Sequence, residues 1–220
     1  MYAMDIKYLG HASFFIKSKE AKLVTDPFDP QMVGLKFPKI EADIVTVSHH
    51  HKDHDQAQLV SESPLVIDSP GEYEKKGLRV FGYKTYHDKK KGLERGENTV
   101  YKIEAEGVSI LHCGDLGLVW DDAFIDTLGE VDVLLVPVGG FYTIDASEAV
   151  ELVKKIEPSI VIPMHYNQPK LNQQNFGKLL PVAEFLKKIG AENSSPIPKL
   201  TVKKEELLEE MKVVVMEITN

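Results

Sequence analysis

The stretch from residue 47 to residue 55 constrains the fold of this chain more than any other. It reads Val-Ser-His-His-His-Lys-Asp-His-Asp and holds four of the eight histidines of the chain within six positions. The run from Asp43 to Val47 is short and rich in Ile and Val, which is typical of a strand buried on both faces. Imidazole and carboxylate groups are the usual ligands of zinc and similar metals. The pattern therefore predicts a metal site at the end of a buried strand.

Residues of the same chemistry end four further predicted strands. Apolar runs and turn signals predict strands that end in Asp26, His87, Asp115 and His165. In α/β architectures, functional groups gather beyond the carboxyl ends of the strands, where loops converge on a rigid sheet. We therefore expect these residues to meet His49 and its neighbours at one edge of the fold.

Hydrophobic periodicity predicts that strands and helices are mixed along the chain. Two alternating runs at residues 4–9 and 12–17, followed by a short run at residues 22–25, predict three strands of an antiparallel meander near the start. Helices are predicted at residues 121–128, 146–156, 176–189 (broken or started around Pro181) and 203–211. Residues 28–41 have the prolines and glycine of a surface loop. Residues 190–220 are expected to complete the fold with one helix and one edge strand.

Length, charge and cysteine content limit the class of protein. A chain of 220 residues suits one domain, which we expect to span residues 1–220. The net charge of −8 argues against a nucleic-acid partner, because that binding depends on clustered Lys and Arg. No stretch reaches the roughly 20 apolar residues of a membrane span, and the single cysteine, Cys113, fits a reducing compartment. We therefore expect a cytoplasmic protein with a small-molecule substrate and no membrane partner, of open oligomeric state.

The number of candidate ligands predicts how many metal ions the site holds. The cluster and the strand ends together supply seven donors, namely His49, His51, Asp53, His54, His87, Asp115 and His165. Seven donors are too many for one tetrahedral ion, whereas two ions that share a bridging carboxylate would use them all. Two ions roughly 3.5 to 4 Å apart lower the pKa of a water molecule and polarise a bond to be hydrolysed. The ligand count therefore predicts a binuclear hydrolytic centre.

The order of these residues resembles the metallo-β-lactamase superfamily of metal-dependent hydrolases. The matching pattern is His49-x-His51-x-Asp53-His54, then His87, then Asp115, then His165, across roughly residues 5–170. Further motifs are similar to one branch, the β-lactamase-like proteins related to ascorbate-6-phosphate lactonase. They are Leu9-Gly10-His11-Ala12-Ser13-Phe14, Asp26-Pro27, His112-Cys113-Gly114-Asp115, Pro137-Val138-Gly139-Gly140 and Val161-Ile162-Pro163-Met164-His165-Tyr166.

The resemblance implies an α/β fold of the four-layer αββα sandwich type, with two mixed sheets face to face and helices outside. The implied ligands are His49, His51 and His87 for a first metal, and Asp53, His54 and His165 for a second. Asp115 would bridge the two ions, and Asp53 would also act in catalysis by orienting or deprotonating the attacking water. Zinc is the expected metal, although relatives in the superfamily use manganese or iron.

Other polar residues receive supporting roles in this interpretation. Asp26 is expected to orient a ligand histidine, and its direct ligation ranks lower. His50 is expected to point away from the ligands, and His112 to pack or hydrogen-bond near the site. His11 fits two roles equally, substrate contact at the edge of the site or a structural histidine. The basic run at residues 89–91 either attracts an anionic substrate or is a solvated loop.

Three functional hypotheses follow, with a minor fourth. The first is a metal-dependent hydrolase of a small anionic ester, lactone or phosphodiester. The second is an RNA- or DNA-processing nuclease of the same superfamily, against which the acidic charge and the absence of room for an extra domain argue. The third is a non-enzymatic metal-binding or regulatory module, and the fourth a redox protein with iron. Specificity is expected to come from the loops at residues 28–41, 88–97, 139–145 and 167–175.

Overall fold

Fifteen strands and five α-helices make up the regular structure of residues 2–207 and 210–219, which a computed structural model describes. The strands are β1 (Met4–Gly10), β2 (Ser13–Lys17), β3 (Lys22–Thr25), β4 (Ile40–Glu41), β5 (Ile44–Thr46), β6 (Val60–Ser61), β7 (Leu65–Ile67), β8 (Gly71–Lys75), β9 (Leu78–Tyr86), β10 (Glu97–Ala105), β11 (Val108–His112), β12 (Val133–Pro137), β13 (Ile160–Met164), β14 (Leu200–Val202) and β15 (Lys212–Val213). The helices are α1 (Pro30–Val33), α2 (Asp122–Leu128), α3 (Ala146–Ile156), α4 (Gln173–Phe176) and α5 (Val182–Ile189).

Most of the strands belong to two large mixed sheets. The first sheet has the order β14-β1-β2-β3-β5-β7, and the second has the order β15-β13-β12-β11-β10-β9-β8. In the first sheet the pairs from β14 to β3 are antiparallel, while β3, β5 and β7 run parallel. In the second sheet β8 to β11 are antiparallel, while β11, β12, β13 and β15 run parallel. Strands β4 and β6 form a separate parallel pair.

Alternation along the strands of the first sheet explains how it packs. Successive side chains on a strand point to opposite faces, so neighbours in sequence enter different cores. Tyr8 lies in a core shared with Val100 and Val133 of the second sheet, whereas Leu9 lies in a separate core on the other side. Leu23 and Val24 divide in the same way, as do Ile44 and Val45. The two sheets therefore pack face to face, and the first sheet has an apolar outer face as well.

Helices cover the outer faces of both sheets. Helix α3 packs against β12, α2 and α5, and β12 is buried along its whole length, as a strand covered on both sides must be. On the outer face of the first sheet, α1 packs against α4, with Val33 and Phe176 in the outer core. The layers therefore run helix, sheet, sheet, helix, which is the predicted αββα sandwich.

Two sequence predictions about this architecture are wrong. Residues 28–41 are not a loop over the surface, because Phe28 and Val33 are fully buried and form the outer core of the first sheet. Residues 190–220 supply two edge strands, β14 beside β1 and β15 beside β13, instead of a helix and one strand. Of the helix predicted at 203–211, residues 204–206 form a 3-10 turn, and residues 208 and 209 lie outside the described residues.

Other elements agree with the sequence predictions. The meander is β1 to β3, and α3 begins after Asp145, which with Glu148 forms a capping box. The strand β8 was not predicted, because its sequence is polar and mostly exposed. Within residues 2–207 and 210–219, no helix has the length and apolar character that a membrane span needs.

Candidate metal centre

Loops at the ends of strands from both sheets bring the predicted site residues together at one edge of the sandwich. From the first sheet come His11 between β1 and β2, Asp26 directly after β3, and the segment 48–54 after β5. From the second sheet come His87 after β9, Asp115 after β11 and His165 after β13. All seven predicted ligands take part in this convergence. Each sheet therefore contributes one side of the site.

Asp115 lies at the centre of the histidines. Its Oδ2 atom lies 3.2 Å from Nε2 of His87 and 4.0 Å from Nε2 of His49. Its Oδ1 atom lies 3.3 Å from Nε2 of His54 and 3.3 Å from Nε2 of His165. Each carboxylate oxygen thus faces a different pair of imidazoles, which is the arrangement that a bridging ligand needs.

Three groups of side chains place their donor atoms close enough to share an ion. Within each group the donor atoms lie within 4.8 Å of one another. The groups are His49, His51 and His87; His49, His54 and Asp115; and His11, Asp53, His54 and His165. The first group coincides with the residues predicted for the first metal. The last contains the residues predicted for the second metal, with His11 in addition.

Unpaired buried atoms test whether these residues fit a metal ion. Among the described residues, buried atoms without a hydrogen-bond partner include Nε2 of His49, His54 and His165 and Oδ1 of Asp115. Buried polar atoms in folded proteins are nearly always hydrogen-bonded, and each exception costs about 1–3 kcal/mol. Divalent cations at the two predicted positions would take the lone pairs of these atoms. The donor set therefore fits a metal centre.

The electrostatics of the site also suit a cation. Burial and the neighbouring His54 hold the pKa of His49 well below its usual value, which keeps the ring in its neutral, ligating form. Burial alone would lower the pKa of His54 too, but the carboxylates of Asp115 and Asp53 raise it well above the usual value. Burial alone would raise the pKa of Asp115, but His165 and His54 hold it well below its usual range. A proton on His54 thus occupies a place that a metal ion would take.

Asp26 orients two of the candidate ligands and belongs to none of the three donor groups. Nδ1 of His54 donates a hydrogen bond of 2.9 Å to Asp26 Oδ2, which leaves Nε2 free for a metal. The hydroxyl of Ser48 donates to the same oxygen over 2.6 Å, and the backbone N–H of Ser48 donates to Oδ1 over 2.8 Å. Nδ1 of His49 lies 3.0 Å from that hydroxyl oxygen. Because the hydroxyl proton is directed to Asp26, the Nδ1–H of His49 donates to the hydroxyl oxygen.

His11 lies deeper in the site than sequence reasoning suggested. It is fully buried in the turn between β1 and β2, and its Nε2 donates to Oδ2 of Asp53 over 3.1 Å. Its ring centroid lies 4.2 Å from that of His165 and 4.7 Å from that of Phe176. Burial and the nearby His165 lower the pKa of His11 to about 4. Its motif at residues 9–14 was visible in the sequence, but a lone histidine 42 positions from Asp53 gives no ligand spacing.

The remaining two histidines lie outside the donor groups. His112 is buried, and its Nε2 donates to the carbonyl of Ala12 over 2.8 Å, so it supports the turn that carries His11. Its Nδ1 atom is buried without a hydrogen-bond partner in the described structure, and burial lowers the pKa of the ring. The His50 side chain is 69% exposed, lies 3.9 Å from Asp68, and lines the outer part of the cleft beside the site.

The turn that carries Asp115 depends on Gly114, which belongs to the motif at residues 112–115, and on Asn98, which sequence reasoning missed. Asn98 on β10 accepts the backbone N–H of Asp115 over 3.0 Å and donates to the carbonyl of Cys113 over 3.0 Å. Gly114 has a φ of 55°, and a Cβ there would lie 2.4 Å from Asn98 and 2.5 Å from Ser48. Only glycine fits between these side chains. A single asparagine in a strand carries no sequence signal for this role.

A cleft of about 530 Å³ opens beside the metal site. Candidate ligands on its wall are His51, Asp53, His87 and Asp115. Each of the four loops expected to set specificity also reaches the wall, with Met32, Arg95, Tyr142, and Gln174 and Asn175. Its volume lies in the range of small-molecule sites.

Comparisons with known proteins agree with this geometry. The model of a family described as Beta-lactamase superfamily domain matches residues 5–165. A metal-dependent hydrolase of Thermoplasma acidophilum is 32% identical over 76% of this chain and 85% of its own length. Another, from Pelotomaculum thermopropionicum, is 29% identical over 90% of this chain and 97% of its own. A crystal structure of a protein from Thermotoga maritima is assigned to the Zn-dependent hydrolases of the metallo-beta-lactamase superfamily. That protein is 39% identical to this chain, and the two structures superimpose with a TM-score of 0.80. The match covers 97% of this chain and 98% of the other.

Proposed function

The chain belongs to the beta-lactamase superfamily, and from this membership we propose that it is a two-metal hydrolase of a small anionic ester, lactone or phosphodiester. The general activity, that of a metal-dependent hydrolase, is the one its relatives share. Zinc is the metal that we propose, because imidazole and carboxylate donors suit it.

The observation that carries the proposal is the position of Asp115 between two histidine pairs whose facing nitrogens include unpaired buried atoms. His49, His51 and His87 would hold one ion. Asp53, His54 and His165 would hold the other, with Asp115 between them. When bound, the ions would lower the pKa of a water molecule and polarise the bond to be cleaved.

The residues of the chain itself would position the reactants. Asp53 lines the cleft, and His11 fixes one of its carboxylate oxygens. An ionised carboxylate so held can accept a hydrogen bond from a water in the cleft and orient it toward the substrate. Asp26 and Ser48 would keep the rings of His54 and His49 in the ligating orientation.

We propose that the protein works as one domain in the cytoplasm on a small molecule, without a nucleic-acid or membrane partner. The pairing of β1 with β14 supports one domain, because it joins the two ends of the chain in one sheet. The cleft of about 530 Å³ suits a small molecule, and the net charge of −8 disfavours a polyanionic partner.

Metal analysis followed by a hydrolase panel tests the proposal. We expect the purified protein to hold about two zinc ions per chain and to cleave at least one class among lactones, phosphodiesters and thioesters. His51→Ala should lose at least one ion and lower the activity about 100-fold or more. His50→Ala is the matched control for metal content, because His50 is adjacent to His51 in sequence and belongs to none of the three donor groups.

Two results would contradict the proposal. One is a protein that holds no divalent ion and gains no hydrolytic activity when zinc or manganese is added. The other is cleavage of single-stranded RNA that disappears in His51→Ala while small esters are left intact, which would support the nuclease hypothesis instead.

A further inference from the structure

Arg95 is a cationic side chain on the wall of the cleft and outside the metal site. We propose that its guanidinium binds the anionic group of the substrate. This inference rests on the proposed function, because it assigns a further residue of the same cleft.

Arg95 lies on the cleft wall, and no ion pair of it is seen among the described residues, whereas its basic neighbours Lys89 and Lys90 each pair with a carboxylate. Lys89 pairs with Glu148 over 2.6 Å, and Lys90 pairs with Glu94 over 2.6 Å. No carboxylate forms an ion pair with Arg95 in residues 2–207 and 210–219. Lys91 is exposed and does not line the cleft, so these positions favour the solvated-loop alternative for the run at 89–91. In a chain with 34 acidic and 26 basic residues, a half-buried unpaired arginine is available to an external anion.

Contacts at both the backbone and the guanidinium hold Arg95 in place. At the backbone, the carboxylate of Asp88 accepts N–H groups over 2.7 to 3.0 Å from residues 90, 92, 94 and 95. Asp88 directly follows the candidate ligand His87, so this loop is tied to the metal site. At the side chain, the guanidinium lies 5.0 Å from the ring centroid of Tyr142, whose hydroxyl donates to the carbonyl of Asn175 over 2.8 Å. A preorganised arginine loses little entropy when it binds an anion.

The chemistry of the cleft defines the class of substrate. A guanidinium is planar and offers paired N–H donors that match a carboxylate or a phosphate. Met32, Phe176 and Tyr142 add apolar surface to the same wall. The substrate would therefore be a small molecule with one carboxylate or phosphate group beside an apolar part, and with its scissile bond toward the metal site.

A matched pair of esters tests this assignment in the zinc-loaded protein. p-Nitrophenyl acetate and p-nitrophenyl hemisuccinate share a leaving group and differ by one carboxymethyl group, which carries the negative charge. Arg95→Gln should raise KM for the hemisuccinate about 10-fold or more and change KM for the acetate less than about twofold. Arg95→Lys should recover part of the loss. Lys91→Gln removes the same charge from the same loop outside the cleft, and it should match wild type on both esters.

Anion binding gives a readout that does not depend on catalysis. Titration of succinate and of inorganic phosphate into wild type and Arg95→Gln, followed by calorimetry, should show affinity about 10-fold or more weaker in the variant for at least one anion. The anion that responds distinguishes a carboxylate from a phosphate substrate. Equal affinities in the two proteins, or no binding of either anion to wild type, would overturn the assignment. Arg95-dependent anion binding without hydrolysis of any ester would instead refute the proposed function alone.

Discussion

At the scale of single residues, two of the candidate ligand histidines are oriented by a hydrogen bond at their second ring nitrogen. Nδ1 of His54 donates to Asp26, and Nδ1 of His49 donates to Ser48. Each bond fixes the orientation of the ring and directs its Nε2 atom toward Asp115. Without these partners, the imidazoles would rotate and the donor atoms would not converge.

Asp26→Asn tests this orienting role. The amide has nearly the same shape, but it offers one acceptor oxygen where the carboxylate has two, and Asp26 uses both of its oxygens. We expect zinc affinity to fall about 10- to 100-fold, measured by competition with a chromogenic chelator. Asp29→Asn, at the half-buried N-cap of α1, is the control and should keep wild-type affinity. Unchanged affinity in Asp26→Asn would show that the orientation of His54 does not depend on this carboxylate.

At the scale of secondary-structure elements, β10 joins the second sheet to the strand that carries the histidine cluster. The hydroxyl of Tyr101 on β10 lies 3.0 Å from the carbonyl oxygen of Val47 and 3.1 Å from that of Ile67, and its one proton is shared between them. Val47 follows β5 directly and precedes Ser48, so this contact fixes the start of the cluster. One side chain thus connects elements of the two sheets beside the metal site.

Tyr101→Phe should destabilise the protein with little effect on its metal content. The change removes the donor to two buried carbonyls, so the free energy of unfolding should fall by about 1–3 kcal/mol in chemical denaturation. Tyr83→Phe, on the neighbouring strand β9 and half-exposed, should change it by less than about 0.5 kcal/mol. A Tyr101→Phe protein as stable as wild type would mean that the contact does not hold the sheets together.

At the scale of the whole molecule, we expect metal binding and the docking of the two sheets to be coupled. The first sheet supplies His49, His51, Asp53 and His54, and the second supplies His87, Asp115 and His165. The donors converge only in the folded chain, so a metal that binds them stabilises the folded state over the unfolded one.

Removal of metal by a chelator should lower the melting temperature, and zinc should restore it. At free zinc about 100 times Kd the stabilisation is about 2.7 kcal/mol, which corresponds to roughly 5–10 °C for a chain of 220 residues. Asp115→Asn is the control and should show little response to zinc in the same thermal scan. A wild-type protein that melts at one temperature with and without zinc would contradict the coupling.

The size of this zinc effect should grow with pH. The pKa of His54 is raised in the fold, chiefly by Asp115 and Asp53 against the effect of burial. Its proton therefore stabilises the metal-free fold fully below about pH 6.5, the pKa in the unfolded chain, and that stability is lost as pH rises through the raised value. Zinc must displace this proton, so the shift in melting temperature should be larger at pH 8 than at pH 6.5.

The fold and much of the candidate site could be predicted because their signals are local. Period-2 alternation indicates β1 and β2, and a long apolar run indicates β12. The spacing of His49, His51 and His54 is a property of one short segment. Polar residues at strand ends can be recognised without knowing which strands pair. The roles of the site residues as metal ligands stay predictions until metal is measured.

By itself, the sequence determined the kinds of donor, their places at strand ends and the alternation that builds two packed sheets. Only the tertiary structure decided which distant groups meet: His11 against Asp53, Asn98 behind Asp115, residues 28–41 as an outer core, and Arg95 on the cleft wall while Lys89 and Lys90 pair elsewhere. The physical reason is that backbone preference depends on neighbours in sequence, whereas burial, pairing and charge compensation depend on segments that are far apart in the chain.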